Sequence, residues 1–340
     1  MVQLSRRAKE FIRIIRSNRK WPFVKLCGKF ILRGSGVMVL IYILSYLFVC
    51  TPLLLNDFQK IQRNRMLCMA FHGGIGNQFF HYAFAYSKAR EKNLELIIQE
   101  DNMLTSFFNV KPNTWEIYGY NRYSCWCFWR YFDGYDCGYD PKFEDLPDDK
   151  DLSFYGYFQS WRYWQKYEKE LWEMFQFKSY ILNEGKRQLQ HILASKGFAS
   201  SVNVTLIGLH IRKFTGYETD VFGKQFAPKE YLIRGMNYYR ERFHNCLFIV
   251  CANDILWAKE IMPKTNDIYI VEGNSGIVDM ALLTLTNHTL MTVGTYGWMI
   301  AWLTKGTTLY YKYPDKPGSP FSKLYSNYSD HFYPGWIPME

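Results

Sequence analysis

A glycine-rich loop contains the first residues whose types and spacing could do chemistry. It spans Gly73–Gln78, reads Gly-Gly-Ile-Gly-Asn-Gln, and lies between an apolar run and a helix-like stretch. Glycines let the backbone approach a ligand closely, and the N–H groups at a helix start favour anions or sugar hydroxyls. The loop lacks the third glycine of a dinucleotide fingerprint and the lysine of a P-loop. It predicts a ligand loop with two amide side chains, and an ordinary tight turn is the alternative.

A second set of residues lies in the segment Leu209–Lys213, which reads Leu-His-Ile-Arg-Lys. Residues two positions apart in a strand point to the same face of a sheet, so His210 and Arg212 are predicted to lie side by side. Two donor or cationic groups at a strand end suit a diphosphate leaving group. A buried core histidine next to a surface arginine is the alternative interpretation.

A third set of candidate residues lies in Val293–Trp298, a second segment in which a strand, a glycine and a helix follow one another. Its N–H groups and the Thr295 hydroxyl could hold the other side of a diphosphate. Asn253 and Asp254 end another predicted strand and could contact a ribose or a base. Capping of the helix that follows explains this pair equally well.

The elements that must position these residues are indicated by periodicity. The apolar run Met66–Phe71, the first glycine loop and the helix-like stretch Phe79–Arg90 form the opening unit of a Rossmann-like half. After residue 200, strands alternate with helices, which predicts an α/β fold with a parallel, doubly wound sheet. Ligands of such sheets bind outside the carboxyl ends of the strands, where the polar residues lie. Residues 101–180 give no clear pattern apart from helical spacing over Trp161–Phe177.

The positive charge of the chain is concentrated at its N-terminus. The formal net charge is +10, and residues 1–33 hold ten Lys or Arg and one acid, Glu10. A basic nucleic-acid-binding domain would keep its charge on the folded part, so we expect no nucleic-acid partner.

Residues 34–56 contain no charged side chain and are long enough to cross a bilayer as a helix. The basic leader is too long for a cleaved signal peptide. The positive-inside rule therefore predicts a single-pass type II membrane protein with a cytoplasmic tail (1–33), an uncleaved signal-anchor (34–56), a short stem (57–65) and a lumenal remainder.

Cysteines and glycosylation sequons agree with a lumenal location. An even number of cysteines follows the membrane segment, which permits disulfides in an oxidising compartment but leaves their pairing open: Cys68, Cys125, Cys127, Cys137, Cys246 and Cys251. Sequons begin at Asn203, Asn287 and Asn327. The apolar run after Asn287 favours burial of that residue and no modification.

Four segments together resemble the α-1,2-fucosyltransferase family of animals and bacteria (glycosyltransferase family 11). The Gly73–Gln78 loop is similar to the opening motif of that family, and Gly156–Ser160 is similar to its Gly-Tyr-aromatic-Gln-Ser segment. His210–Lys213 is similar to its His-x-Arg-Arg motif. Ala281–Trp298 is similar to a longer block that ends in Asn-His-Thr-x-Met-Thr-x-Gly-Thr-Phe-Gly-Trp.

This resemblance implies a two-domain fold of the GT-B type, with an acceptor-side half (66–200) and a C-terminal half (201–340) that holds GDP-fucose. It also implies an inverting transfer of fucose to a galactose hydroxyl of glycans on Golgi glycoproteins or glycolipids. Arg212 should neutralise the β-phosphate with His210 beside it, and Asn77 should face the fucose and the acceptor. The residues that we predict to bind the nucleotide sugar are Gly73, Gly74, Gly76, Gln78, Lys213, Asn253, Asp254, Asp279, Gly294, Thr295, Tyr296 and Gly297.

No metal cofactor is expected. Some nucleotide-sugar enzymes hold a divalent ion with an Asp-x-Asp motif, and the match here, Asp149–Asp151, lies in an acidic run that we interpret as a solvated loop. Arg212, His210 and helix N-termini could neutralise the diphosphate without an ion. Cys125 and Cys127 have one spacer and no clustered histidine, which argues against zinc.

The chain departs from the family pattern after Arg212. The second arginine becomes Lys213, the aspartate two residues later is absent, and one residue is inserted before Tyr217. Lysine keeps the charge but loses the bidentate fork. Glu218 and Asp220 are possible replacements for the aspartate, and the general base is left open. The altered loop keeps a non-catalytic glycan- or nucleotide-binding relative as an alternative, and a fucosyltransferase of different linkage or acceptor is another.

Overall fold

The computed structural model describes Leu44 and residues 65–98, 102–111, 129–132, 136–199, 203–325 and 327–340. Residues 64–114 and 128–340 form one compact unit, which contains all the elements below. The predicted tail (1–33), signal-anchor (34–56) and stem (57–65) lie outside the described residues, apart from Leu44 and Arg65. No helix within the described part of the chain is both long and apolar enough to cross a membrane.

The first sheet has four strands, all parallel, in the order β2-β1-β4-β3. Its strands are β1 (Met66–Met69), β2 (Glu95–Ile97), β3 (Trp129–Phe132) and β4 (Leu152–Tyr155). The apolar run at the start of the region is the wholly buried β1. The glycine loop then leads into helix α1 (Ile75–Glu91), as the pattern predicts.

The region without a clear sequence pattern contains short elements. They are helices α2 (Met103–Phe107) and α3 (Glu168–Met174) and three 3₁₀ turns, Pro141–Phe143, Trp161–Tyr163 and Gln165–Tyr167. The helical spacing over Trp161–Phe177 is therefore two 3₁₀ turns followed by α3, and not one continuous helix. Helix α4 (Ser179–Ser195) ends this part of the chain.

The second sheet has six parallel strands in the order β10-β9-β8-β5-β6-β7, which confirms the predicted parallel α/β architecture. Its strands are β5 (Thr205–Ile211), β6 (Cys246–Ala252), β7 (Ile268–Ile270), β8 (His288–Met291), β9 (Thr308–Tyr311) and β10 (Ile337–Met339). Its helices are α5 (Tyr217–Asp220), α6 (Lys229–Arg240), α7 (Ile255–Ile261), α8 (Gly276–Thr284) and α9 (Thr295–Thr304). The pattern misses β10, a three-residue edge strand containing Pro338, because proline is tolerated only at such edges.

Both faces of the second sheet are covered. Leu206 and Ile249 belong to a core that also contains side chains of α1, α8 and α9, whereas the alternating Ile207 and Val250 belong to a second core with α6 and α7. The first core continues into the first sheet, so the two sheets share one hydrophobic interior.

The second sheet reverses its strand order between β5 and β8, and β1 and β4 are the two central strands of the first sheet. Ligands of open parallel sheets bind at such a switch point, outside the carboxyl ends of the strands. The four loops after β1, β4, β5 and β8 are therefore the places to look for a site.

Candidate active site at the strand ends

One cavity of about 600 Å³ lies against all four of these loops. Residues after β1 and β4 form one side of it, and residues after β5, β6 and β8 form the other. Ten of the residues predicted from the sequence line it: Gly74, Gly76, Asn77, His210, Arg212, Asn253, Asp279, Gly294, Thr295 and Tyr296.

The two glycine loops bring the N-termini of α1 and α9 into direct contact. A Cβ atom at Gly76 would overlap the backbone of Thr295 and Tyr296, so only glycine allows this approach. Gly73 has φ +71°, in the left-handed region, and a Cβ there would strike the Asn77 amide. Because the first N–H groups of a helix lack intrahelical partners, two sets of such donors lie at this edge of the cavity.

A hydrogen-bond network connects three segments around Asn77. The Asn77 Oδ1 accepts from the Thr295 hydroxyl at 2.8 Å and from Gln159 Nε2 at 3.0 Å. The Gln159 Oε1 in turn accepts from the Tyr325 hydroxyl at 2.6 Å. The Asn77 side chain is thereby held in a defined orientation at the cavity wall.

His210 is buried in the cavity wall as a neutral imidazole. Burial, with the Arg212 cation as a smaller cause, lowers its pKa to about 3. Its ring lies 4.7 Å from that of Tyr296, and a Cβ at Gly297 would come within 2.8 Å of its Nδ1. The sequence predicts either a cationic or a hydrogen-bonding role for His210. Because the buried ring is neutral, only the hydrogen-bonding role is compatible with this environment.

Arg212 extends from the end of β5 into the cavity. Its backbone N–H donates to the Thr292 hydroxyl at 2.9 Å, and its side chain is 39% exposed. Its Nη2 lies 4.0 Å from Glu218 Oε2, while Glu218 Oε1 accepts from Lys224 Nζ at 3.0 Å. Of the two possible replacements for the missing aspartate, Glu218 lines the cavity, whereas the Asp220 carboxylate accepts from Thr219 and lies outside the lining.

Asp279 lies at another part of the cavity, in the first turn of α8. Burial raises the pKa of its carboxyl group, against the lowering effect of hydrogen bonds from Asn274 and Cys251, and its Oδ1 atom has no hydrogen-bond partner within 3.5 Å. Cys251, a buried free thiol at the end of β6, lies beside it. This unpaired acceptor is available to a ligand that carries N–H donors.

Five predicted residues do not line the cavity: Gly73, Gln78, Lys213, Asp254 and Gly297. Gln78 Nε2 donates to the Gly73 carbonyl at 3.2 Å and so braces the first loop. Lys213 Nζ donates to Asp254 Oδ2 at 2.9 Å. Asp254 also caps α7 by accepting from Trp257 N–H, as the capping alternative predicts.

Asn253 lines the cavity, but its amide bonds the backbone of Lys213 in both directions. The Lys213 N–H donates to Asn253 Oδ1 at 2.7 Å, and Asn253 Nδ2 donates to the Lys213 carbonyl at 3.0 Å. The side chain therefore holds the loop after β5 in place next to the end of β6.

Sequence reasoning missed one wall of the cavity. It is formed by the segment before β10, which shows neither glycine loops nor clear periodicity. Tyr157 and Gln159 lie in the Gly156–Ser160 segment that carried the resemblance, and that was the available signal for them. From the segment before β10 the missed lining residues are Pro314, Phe321, Leu324, Tyr325, Tyr328, His331 and Phe332, and from the loop after β5 they are Phe214, Phe222 and Lys224.

Within the described residues, no group of three or more His, Cys, Asp or Glu side chains is arranged to hold a metal ion. Asp149 is exposed, and Asp151 accepts from the Met66 N–H at 2.8 Å. The Asp-x-Asp segment therefore contacts the start of β1 rather than the cavity.

Comparison with known proteins gives the following similarities. The sequence model of glycosyl transferase family 11 matches residues 37–340. Galactoside alpha-(1,2)-fucosyltransferase 2 of Sus scrofa is 26% identical over 286 residues, covering 79% of this chain and 78% of that protein. Galactoside 2-alpha-L-fucosyltransferase SEC1 of Bos taurus is 23% identical over 297 residues, covering 82% of this chain and 75% of that protein. The solved structure of fucosyltransferase NodZ from Bradyrhizobium has a TM-score of 0.46 and 12% identity, covering 71% of this chain and 93% of its own.

Proposed function

The chain belongs to glycosyl transferase family 11, and we propose on that basis that it transfers L-fucose from GDP-fucose to a galactose hydroxyl of glycans, forming an α-1,2 linkage. The relatives named as galactoside α-(1,2)-fucosyltransferases match most of the chain. The observation that carries the proposal is a cavity that lies at the strand ends of both sheets, with Arg212 and Asn77 on its wall.

The donor diphosphate would bind at the ends of β5 and β8. The N–H groups at the start of α9 and the Arg212 guanidinium both favour an anion there. As the bond from fucose C1 to the β-phosphate oxygen breaks, its electrons remain on GDP, and Arg212 stabilises the charge that develops. Neutral His210 beside it would contribute a hydrogen bond without adding charge.

The acceptor would approach from the side of the first sheet. Its hydroxyl oxygen attacks C1 opposite the departing phosphate while the hydroxyl proton passes to water, and this attack converts the β configuration of the donor into an α linkage. Asn77, whose Oδ1 is already bonded to Thr295 and Gln159, has its Nδ2 group as the remaining donor for a sugar hydroxyl. Residues 66–200 would thus form the acceptor-side half and 201–340 the nucleotide-sugar half of a GT-B-type enzyme.

The guanine base is assigned to the pocket around Asp279. A carboxylate can accept from both the ring N–H and the exocyclic amino group of guanine, and Asp279 Oδ1 is buried without a partner. Transfer is expected to need no metal ion, because Arg212 and two helix N-termini supply the positive potential that an ion otherwise would.

A type II location in the Golgi membrane, with the catalytic part in the lumen, completes the proposal. It rests on the basic tail and uncharged segment of the sequence. Cys68 is disulfide-bonded, which supports an oxidising compartment. Asn203, Asn287 and Asn327 are exposed, and the burial expected of Asn287 is wrong, because the loop before β8 leaves it at the surface.

The test uses the full-length chain in detergent, incubated with GDP-fucose, β-galactosides and EDTA, with GDP release as the readout. Acceptor-dependent release that Arg212→Ala abolishes would support the proposal, and linkage analysis of the product would identify the hydroxyl. GDP binding without release over a broad acceptor panel would favour a binding protein instead.

A further inference from the structure

The cavity contains two cationic side chains among the described residues, Arg212 and Lys224. They lie on opposite sides of one carboxylate. Glu218 Oε1 is 3.0 Å from Lys224 Nζ, and Glu218 Oε2 is 4.0 Å from Arg212 Nη2. One acceptor group thus lies within reach of two donors, as a phosphate oxygen would between a lysine and an arginine.

The backbone of Lys224 is fixed from two directions. Its N–H donates to the Glu218 carbonyl at 2.8 Å, and the residue forms an antiparallel bridge with Asp315. The next N–H, of Gln225, donates to the Pro314 carbonyl at 2.8 Å. The position of Lys224 is therefore set by the fold and not by a free loop.

The ammonium group of Lys224 lies near three aromatic rings. Its Nζ is 4.7 Å from the ring centroid of Phe214, 5.2 Å from that of Phe321 and 5.8 Å from that of Phe222. The side chain is 20% exposed. Aromatic faces stabilise a cation and reduce the entropy that it loses on binding an anion.

Lys213, which aligns with the second arginine of the family motif, is engaged elsewhere. It pairs with Asp254, its Nζ lies 5.2 Å from the Trp257 ring, and it does not line the cavity. Lys213 is therefore next to Arg212 in the chain but contacts Asp254, while Arg212 lines the cavity.

We propose that Lys224, and not Lys213, is the second cation that binds the diphosphate of the nucleotide sugar, with Arg212 as the first. This assignment rests on the proposed function, in which a nucleoside diphosphate occupies the cavity. Glu218 bridges the two cations in the absence of the anion, and the diphosphate would replace it as their partner.

The test measures the affinity of the full-length chain for GDP and for guanosine, without acceptor, by calorimetry. Lys224→Met should weaken GDP binding about 10- to 100-fold, the usual effect of losing a charge-assisted hydrogen bond, and leave guanosine binding unchanged. Lys224→Arg should restore most of the GDP affinity. Lys316→Met is the matched control, because Lys316 is exposed, lies outside the cavity lining and contacts the same loop at Thr219.

Three results with the variants would overturn the assignment: unchanged GDP affinity in Lys224→Met, equal losses for GDP and guanosine, or a loss of GDP affinity in Lys213→Met alone. Lys224→Gln repeats the measurement should the methionine variant fold poorly. A chain that binds GDP through Lys224 but transfers no fucose would contradict the proposed function and keep the assignment. A wild-type chain that binds no GDP would overturn both.

Discussion

The hydroxyl of Thr295 donates to the side-chain oxygen of Asn77 at 2.8 Å across 218 residues of sequence. Thr295 begins α9 of the second sheet, and Asn77 lies in the first turn of α1 of the first sheet. This bond connects the half that we assign to the nucleotide sugar with the half that we assign to the acceptor.

Removing the Thr295 hydroxyl should lower both the stability of the protein and its catalytic efficiency. Thr295→Val is expected to cost about 1 kcal/mol of stability and to lower kcat/KM, because Asn77 loses one of two donors that orient it. Unfolding curves and steady-state kinetics measure the two effects. Thr304→Val, in the last turn of the same helix with its hydroxyl on Ile300, is the control; an equal loss of activity there would refute the orienting role.

The close approach of α1 and α9 should make Gly76 intolerant of any side chain. In Gly76→Ala the Cβ would overlap backbone atoms of Thr295 and Tyr296, so the free energy of unfolding should fall by about 3 kcal/mol or more. Gly74→Ala is the matched control for stability, since a Cβ at Gly74 meets nothing within 4 Å. Equal melting temperatures for the two variants would contradict the contact.

Arg212 is expected to act on the leaving group rather than on folding. Arg212→Lys keeps the charge but loses the planar fork, so kcat should fall about 100-fold while the melting temperature changes little. The measurement is GDP release at saturating GDP-fucose. A rise in KM with unchanged kcat would show that Arg212 binds the ground state and transition state equally.

Glu218 should oppose the binding of a diphosphate, because it is a carboxylate between the two cations of the cavity. Glu218→Gln is therefore expected to raise GDP affinity several-fold, with a larger gain at low salt where screening is weaker. Calorimetry at two ionic strengths measures this effect. If GDP affinity falls instead, the carboxylate is needed to hold Arg212 and Lys224 in their binding positions.

The buried histidines should make the protein less stable in acid. Burial lowers the pKa of His331 to about 4, whereas an unfolded histidine titrates near about 6.5. As the pH falls from about 6.5 to about 4, the unfolded state binds a proton that the folded state does not, and stability is lost at about 1.4 kcal/mol per pH unit.

In His331→Gln the free energy of unfolding should fall less steeply with decreasing pH, by about 1.4 kcal/mol per pH unit between pH about 6.5 and about 4. Urea unfolding at several pH values measures this slope. His191→Gln removes an exposed histidine of α4 and serves as the control. Identical slopes in the wild type and His331→Gln would show that His331 is not buried as a neutral ring.

The sequence alone determined the elements and the local geometry of the main site segments. The strand, glycine loop and helix at Met66–Glu91 and the alternating elements after residue 200 are encoded by short-range periodicity, which needs no tertiary contact to be recognised. The spacing of His210 and Arg212 likewise placed both on the cavity side, because a strand has a period of two.

Only the tertiary structure decided which of the charged side chains share the cavity. Lys213 is adjacent to Arg212 in the chain yet turns to Asp254, while Lys224 reaches the cavity from a loop held by the segment around Pro314. The neutrality of His210 is also a product of packing, since burial lowers its pKa. Such pairings depend on contacts between distant segments, which no local pattern of residues specifies.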